Sequence, residues 1–157
     1  MFKIETNFFA DVYHIGSEAP LFIERIESKN LVVNTGRNII RNIMAEPDSG
    51  TRASFLNVYF QWGTSATAVD VTDTTLVASA TTGAAITEAN ISTNYQIAYR
   101  YYMPSTEAND LSLNEAGLFF GNSTPGTMFA RVVLGSTITK TVDKAITFSW
   151  IQAITAS

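Results

Sequence analysis

Cysteine is absent, histidine occurs once and charge is sparse: only 15% of the 157 residues are Asp, Glu, Lys or Arg. Without cysteine there is no disulfide staple, no thiolate nucleophile and no zinc–sulfur site. That absence fits a protein made in the cytosol. With His14 as the single imidazole, a multi-histidine metal centre cannot be built within one chain. A charged fraction well below the ~25% usual for soluble domains implies surfaces that are polar but neutral, or surfaces buried against partners. The net charge of −4 and pI near 4.9 exclude the basic footprint of a general nucleic-acid binder. No apolar stretch approaches the ~20 residues of a membrane helix. The start, "MFKIETNFFADVYHIG", has acids inside it and lacks a signal peptide's continuous apolar region.

What is present reads as one mainly β domain, a β-sandwich or jelly-roll-like fold with one short α-helix. "FLNVYFQW" alternates, with Leu56, Val58, Phe60 and Trp62 on one side and Asn57, Tyr59 and Gln61 on the other. In "YQIAYRYYM" one face holds Tyr95, Ile97, Tyr99, Tyr101 and Met103, the other Ala98, Arg100 and Tyr102. Tyrosine on both faces implies that the second meets something other than plain water. "AITFSWIQAIT" closes the chain with Ile146, Phe148 and Trp150 in alternation. The helix falls in "NLVVNTGRNIIRNIMA": Asn34 or Thr35 caps it, Ile39, Ile40, Ile43 and Met44 make one apolar stripe, and Pro47 ends it. "TSATAVDVTDTTLVASATTG" reads as an excursion over the surface with at most one helical turn after Asp73.

The first thirty residues divide from the sandwich of residues 31–157. They read either as an arm lying on a neighbour or as an edge strand of the same sheet. In "LFIERI", Leu21 and Ile23 share a face.

No constellation for chemistry emerges. His14, inside "DVYHI", reads as a structural imidazole on a strand rather than a proton shuttle. The acids Glu107, Asp110 and Glu115, and the pair Asp70 and Asp73, lack the spacing of a calcium loop and read as solvated or capping groups. "NTGRN" has a lone glycine and no P-loop lysine. Arg37 and Arg41 lie one turn apart outside the apolar stripe, on a solvated face or against an anionic partner. Glu115 opens "EAGLFF", followed by the turn "GNSTPG" and the run "TMFARVVL". One hairpin register sets it opposite Arg131, where an ion pair would pin the pairing; a neighbouring register would not. With no base, nucleophile or second acid near it, Glu115 is a structural carboxylate rather than a catalytic one.

The order "NLVVNTGRNIIRNIM", "WGTSATA", "TTL", "NEAGLFF", "TMFARVVL", "ITFSWIQAI" resembles small structural proteins of tailed-bacteriophage virions. In that family a strand ends in a Gly-Thr turn, and a Glu-Ala-Gly-Leu-Phe strand pairs with an arginine-bearing strand ahead of a closing Trp-containing strand. The resemblance covers Asn30 to Ile154, and "QWGTSATA" departs from the commoner Gly-Thr-Gly turn. It implies a virion building block rather than an enzyme, with no cofactor and no metal. The favoured placement is a capsid decoration, or cement, protein. Such a protein is made in the host cytoplasm, sits on the capsid exterior, and binds the major capsid protein and copies of itself as a trimer or other cyclic homo-oligomer. The alternatives are a tail, baseplate or fibre component, and a carbohydrate-binding module with Trp62 or Trp150 as a stacking platform. Neither nucleic acid nor membrane is an expected partner. The expected interface positions are Phe2, Phe8, Phe9 and Tyr13 from the N-terminal segment, with Arg37, Arg41 and Tyr102.

Overall fold

The computed structural model describes residues 2–16, 18–45, 57–92, 95–121 and 124–156, with backbone alone at 2, 92 and 154–156. The expected terminator Pro47, the residues Phe55 and Leu56, and the Phe2 side chain lie outside what is described. The elements in chain order are β1 (Phe2–His14), β2 (Leu21–Lys29), β3 (Leu31–Val32), α1 (Asn34–Ala45), β4 (Val58–Gly63), β5 (Ala84–Ala85), β6 (Glu88–Ser92), β7 (Gln96–Met103), β8 (Ser112–Phe120), β9 (Thr127–Thr139) and β10 (Lys144–Ala156).

The fold is mainly β, with 57% of residues in strands. Two five-stranded antiparallel sheets run β2-β1-β10-β7-β6 and β3-β9-β8-β4-β5. The sandwich expectation is met. The pairs β1–β2, β6–β7 and β8–β9 each stay within one sheet, so the strand order does not establish a jelly roll.

Period-two patterning explains the two layers. From the first sheet Phe8, Ala10, Val12, Ile146, Phe148 and Trp150 point inward, and from the second Val58, Phe60, Trp62, Ala116 and Leu118, all buried. The aromatic rings lock the layers together. Phe8 meets Trp150 edge-on at 5.2 Å, while Trp62 crosses to Phe148 at 5.1 Å and Tyr101 at 4.9 Å.

The N-terminal segment is no arm: it supplies an interior strand, β1, and an edge strand, β2, of the first sheet. β1 lies between β2 and β10 and pairs with β10 over its whole length, from Phe2↔Ala156 to His14↔Lys144. The boundary expected at residue 30 therefore separates nothing, because residues 2–14 supply an interior strand. β2 forms one edge of this sheet and β6 the other.

α1 closes the sandwich against β9, and Gly36 is what permits the approach. A Cβ there would collide with the backbone carbonyl of Phe129, so the glycine serves packing rather than phosphate binding. Asn34 is the helix's first residue, and Thr35 donates to the Met128 carbonyl at 2.7 Å instead of capping. Ile39 is buried and Ile40 and Ile43 pack on the core, while Met44, 80% exposed, carries the same stripe out to the surface beside them.

The small-residue stretch after β4 does run over the surface, and it is fastened there. It folds onto the outer face of the second sheet, where Leu76 packs with Val33, Phe119 and Met128 in a second apolar cluster. Gln61 donates to the Thr81 carbonyl at 2.7 Å, and Ala80 to Trp62 at 2.9 Å. No helical turn follows Asp73.

Candidate interaction face

Glu115 lies fully buried under that stretch. Its carboxylate accepts the backbone N–H of Val77 at 3.2 Å and of Ala78 at 2.7 Å. Nε and Nη2 of Arg131 both stand 2.8 Å from its Oε2. Arg131, also fully buried, donates through Nη1 to Asp73 at 2.8 Å and the Ala68 carbonyl at 3.3 Å, and through Nη2 to the Thr67 carbonyl at 2.9 Å. Both carboxylate oxygens and both terminal nitrogens of the pair fasten the covering segment, and Nε of Arg131 is engaged by Glu115 itself.

The expected pair is thus formed, though not by direct opposition. Glu115 faces Val133 and Arg131 faces Gly117, so the two side chains meet diagonally on one face. Glycines make the room: a Cβ on Gly63 would strike the Glu115 carboxylate, and one on Gly117 would lie 2.5 Å from the Phe119 ring. The acids divide by role. Asp70 accepts from Thr72, which holds its carboxyl below the usual range, while Asp73 belongs to the buried network. Glu107 accepts from the Tyr101 hydroxyl at 2.6 Å.

Lys140 is a residue the sequence reading missed. Its side chain is buried, and Nζ donates to the Ser105 carbonyl at 3.1 Å, Asn109 Oδ1 at 3.0 Å and the Thr141 carbonyl at 3.2 Å. Burial lowers its pKa, and the acceptors tie down a turn in which Ala108 and Asp110 adopt positive φ. The signal was parity: Lys140 stands two residues beyond the buried Ile138 on the same strand trend.

With the second sheet's outer face covered, the outer face of the first is the one left open by the described residues. Three of the expected interface positions, Phe9, Tyr13 and Tyr102, share it. Tyr102 pairs with Thr147, which pairs with Asp11 between Phe9 and Tyr13. Asp11 lies directly opposite Arg25 and receives a two-pronged ion pair at 2.6 and 2.8 Å. That partner raises the Arg25 pKa, and the guanidinium rests over the Phe9 ring at 5.4 Å. Tyr13 meets Phe22 of the edge strand edge-on at 5.8 Å.

The edge itself is apolar at one end. Leu21, Phe22 and Ile23 are 66%, 52% and 47% exposed, and Ile23 is the extra residue of a bulge between the pairs Val12↔Glu24 and Tyr13↔Phe22. Other expected positions fall elsewhere. Phe8 is wholly buried and is core, not an anchor, because its position on β1 points between the sheets. Arg37 and Arg41 are exposed on α1, away from this face, and Arg41 contacts Asn42. Both tryptophans are fully buried. His14 lies 3.2 Å from Asp143 at the surface. Among the described residues no group of His, Cys, Asp and Glu could hold a metal, and no helix is long and apolar enough to cross a membrane.

Comparison with protein-family models, with curated proteins and with solved structures finds no significant match.

Proposed function

We propose that this chain is a non-enzymatic structural protein of a tailed-phage virion, a decoration protein that docks on the capsid exterior and on copies of itself. The observation that carries the docking role is the asymmetry of the sandwich. The chain covers one outer face with its own segment and leaves the other carrying Phe9, Tyr13 and Tyr102, beside an edge strand with Leu21, Phe22 and Ile23 exposed. Contiguous exposed apolar residues beside aromatics are what an interface core requires. An uncovered strand edge also offers backbone partners. The virion assignment itself rests on the family resemblance.

The test is to mix gold-labelled protein with separated capsids and tails of the source phage, alongside a Phe22→Glu, Ile23→Glu variant. A regular lattice of label on heads, lost in the variant while its melting curve is retained, is the expected result. Label confined to tails would replace the decoration role with a tail or baseplate one. A carbohydrate module lacks the tryptophan platform it would need, since Trp62 and Trp150 are both in the core.

A further inference from the structure

Where β2 ends, β1 continues without it. The last pair between them is Asn7↔Lys29, after which the chain crosses at Asn30 to β3 in the other sheet. Residues Phe2–Thr6 of β1 keep β10 on one side and, among the described residues, no strand pairs with their other side. The open side is the wall of a cleft of about 630 Å³, bounded by Lys3–Asn7 of β1, by Lys29–Val32 and by Arg37. The opposite wall includes β3, itself the edge of the second sheet.

The backbone of this wall is oriented for pairing. With its amide turned to satisfy its neighbours, Asn30 donates to the Thr6 carbonyl and accepts from Trp150 Nε1, so the Thr6 carbonyl faces the cleft and has Asn30 as its partner there. Backbone groups of a strand alternate sides, so the N–H and C=O of Ile4 face the same way. Among the described residues no further strand pairs with the Ile4 groups.

The cleft is also basic, on a chain whose net charge is −4. Lys3, Lys29 and Arg37 line it against the single acid Glu5. Glu5 is held by Lys3 at 2.9 Å, and its pKa is lowered chiefly by that partner, with Lys29 adding to the effect. Neither Lys29 nor Arg37 forms an ion pair among the described residues.

We propose that this notch is a strand-addition site for an extended acidic segment of a partner protein. The segment pairs with the edge at Ile4, beyond the Thr6 carbonyl that Asn30 holds, and its carboxylates meet Lys29 and Arg37. Main-chain bonds supply affinity in this mode, and charge selects the occupant and speeds encounter. The site is separate from the aromatic face, and its existence does not depend on the virion reading.

The test uses the full chain and a fluorescein-labelled peptide, Asp-Val-Glu-Val-Asp-Val, in three forms: unmodified, N-methylated at alternate residues, and with lysine replacing every acid. Saturable binding is expected for the first alone. Added salt should weaken it, and slowed amide exchange at Ile4 should accompany it. Lys29→Glu with Arg37→Glu, both exposed and outside the core, should raise Kd by about tenfold or more while leaving the melting curve unchanged. Equal binding of the N-methylated peptide would overturn strand addition. Equal binding of the lysine peptide, or indifference to the charge reversals, would overturn the acidic partner. No saturable binding by the unmodified peptide at millimolar concentration would overturn the site. Stronger binding of a single-stranded oligonucleotide than of the peptide would do so too.

Discussion

At the scale of single residues, the buried Glu115–Arg131–Asp73 network shows what the placed carboxylate is for. Removing one member of a buried pair leaves the other desolvated without its partner, a loss of about 3–5 kcal/mol. Glu115→Gln should therefore lower stability by about 3 kcal/mol, because the amide turns a donor toward Arg131 or the Val77 and Ala78 amides. Urea denaturation checks the loss. The double variant Glu115→Leu, Arg131→Met should fall short of the sum of its single variants by about 1 kcal/mol or more, since the two sites share one network. Additive losses would mean that the pair is not coupled. Tyr101 supplies a pH dependence. Its phenol is pushed well above 10 by burial first, and then by its hydrogen bond to the Glu107 carboxylate. Below about pH 10 the phenol is protonated in both states, and its stabilising contact is fully present. Above that the unfolded chain releases the proton while the folded one retains it, so stability falls as pH rises towards the folded value. Denaturation midpoints followed from about pH 8 to 11 should decline, and Tyr101→Phe should flatten the decline.

At the scale of elements, alternation was readable wherever one side of a strand faces the core. Val58, Phe60 and Trp62, or Ile146, Phe148 and Trp150, announce their faces by period alone. The same rule could not show that the other side of β4 and β8 is covered. Gln61, Glu115 and Arg131 are polar, and a polar residue reads as exposed until its partner is known. Those partners are backbone groups 20 to 64 positions away, in a segment of small residues with almost no pattern of its own. α1 shows the complementary case. Its stripe is visible in Ile39, Ile40 and Ile43, but the reason for Gly36 is a neighbour 93 residues on, the Phe129 carbonyl. On propensity alone Gly36→Ala should stabilise a helix by about 0.5–1 kcal/mol. Here the added methyl group meets backbone, which cannot rotate aside, so a net loss of about 1–3 kcal/mol is expected instead. The thermal midpoint of the alanine variant decides the sign.

At the scale of the whole molecule, the chain's two ends are one structural unit, and this was the hardest feature to read. β1 and β10 are each 13 residues long, stand 130 positions apart even at their nearest pair, His14 and Lys144 (144 − 14), and pair end to end. Period identifies each as a strand, but nothing local to "FFADVYHI" says that its partner is "AITFSWIQAIT". Phe8 therefore passes for a loose aromatic anchor until its contacts with Phe148 and Trp150 are seen. The distinction has a direct consequence for truncation. An arm could be cut away from a folded body, whereas removing residues 1–20 takes out the strand between β2 and β10 along with Phe8, Ala10 and Val12. Loss of a single buried phenylalanine side chain costs about 3–5 kcal/mol, and whole domains are stable by only about 5–15 kcal/mol. The shortened chain should lack the near-ultraviolet circular dichroism of packed Trp62 and Trp150 and should recover from the insoluble fraction. A synthetic peptide of residues 1–20, added during refolding, should restore the signal by rebuilding the β1–β10 ladder. A truncated chain that is soluble, gives the full aromatic signal and melts cooperatively without the peptide would show that β1 is dispensable and that the sheet closes some other way.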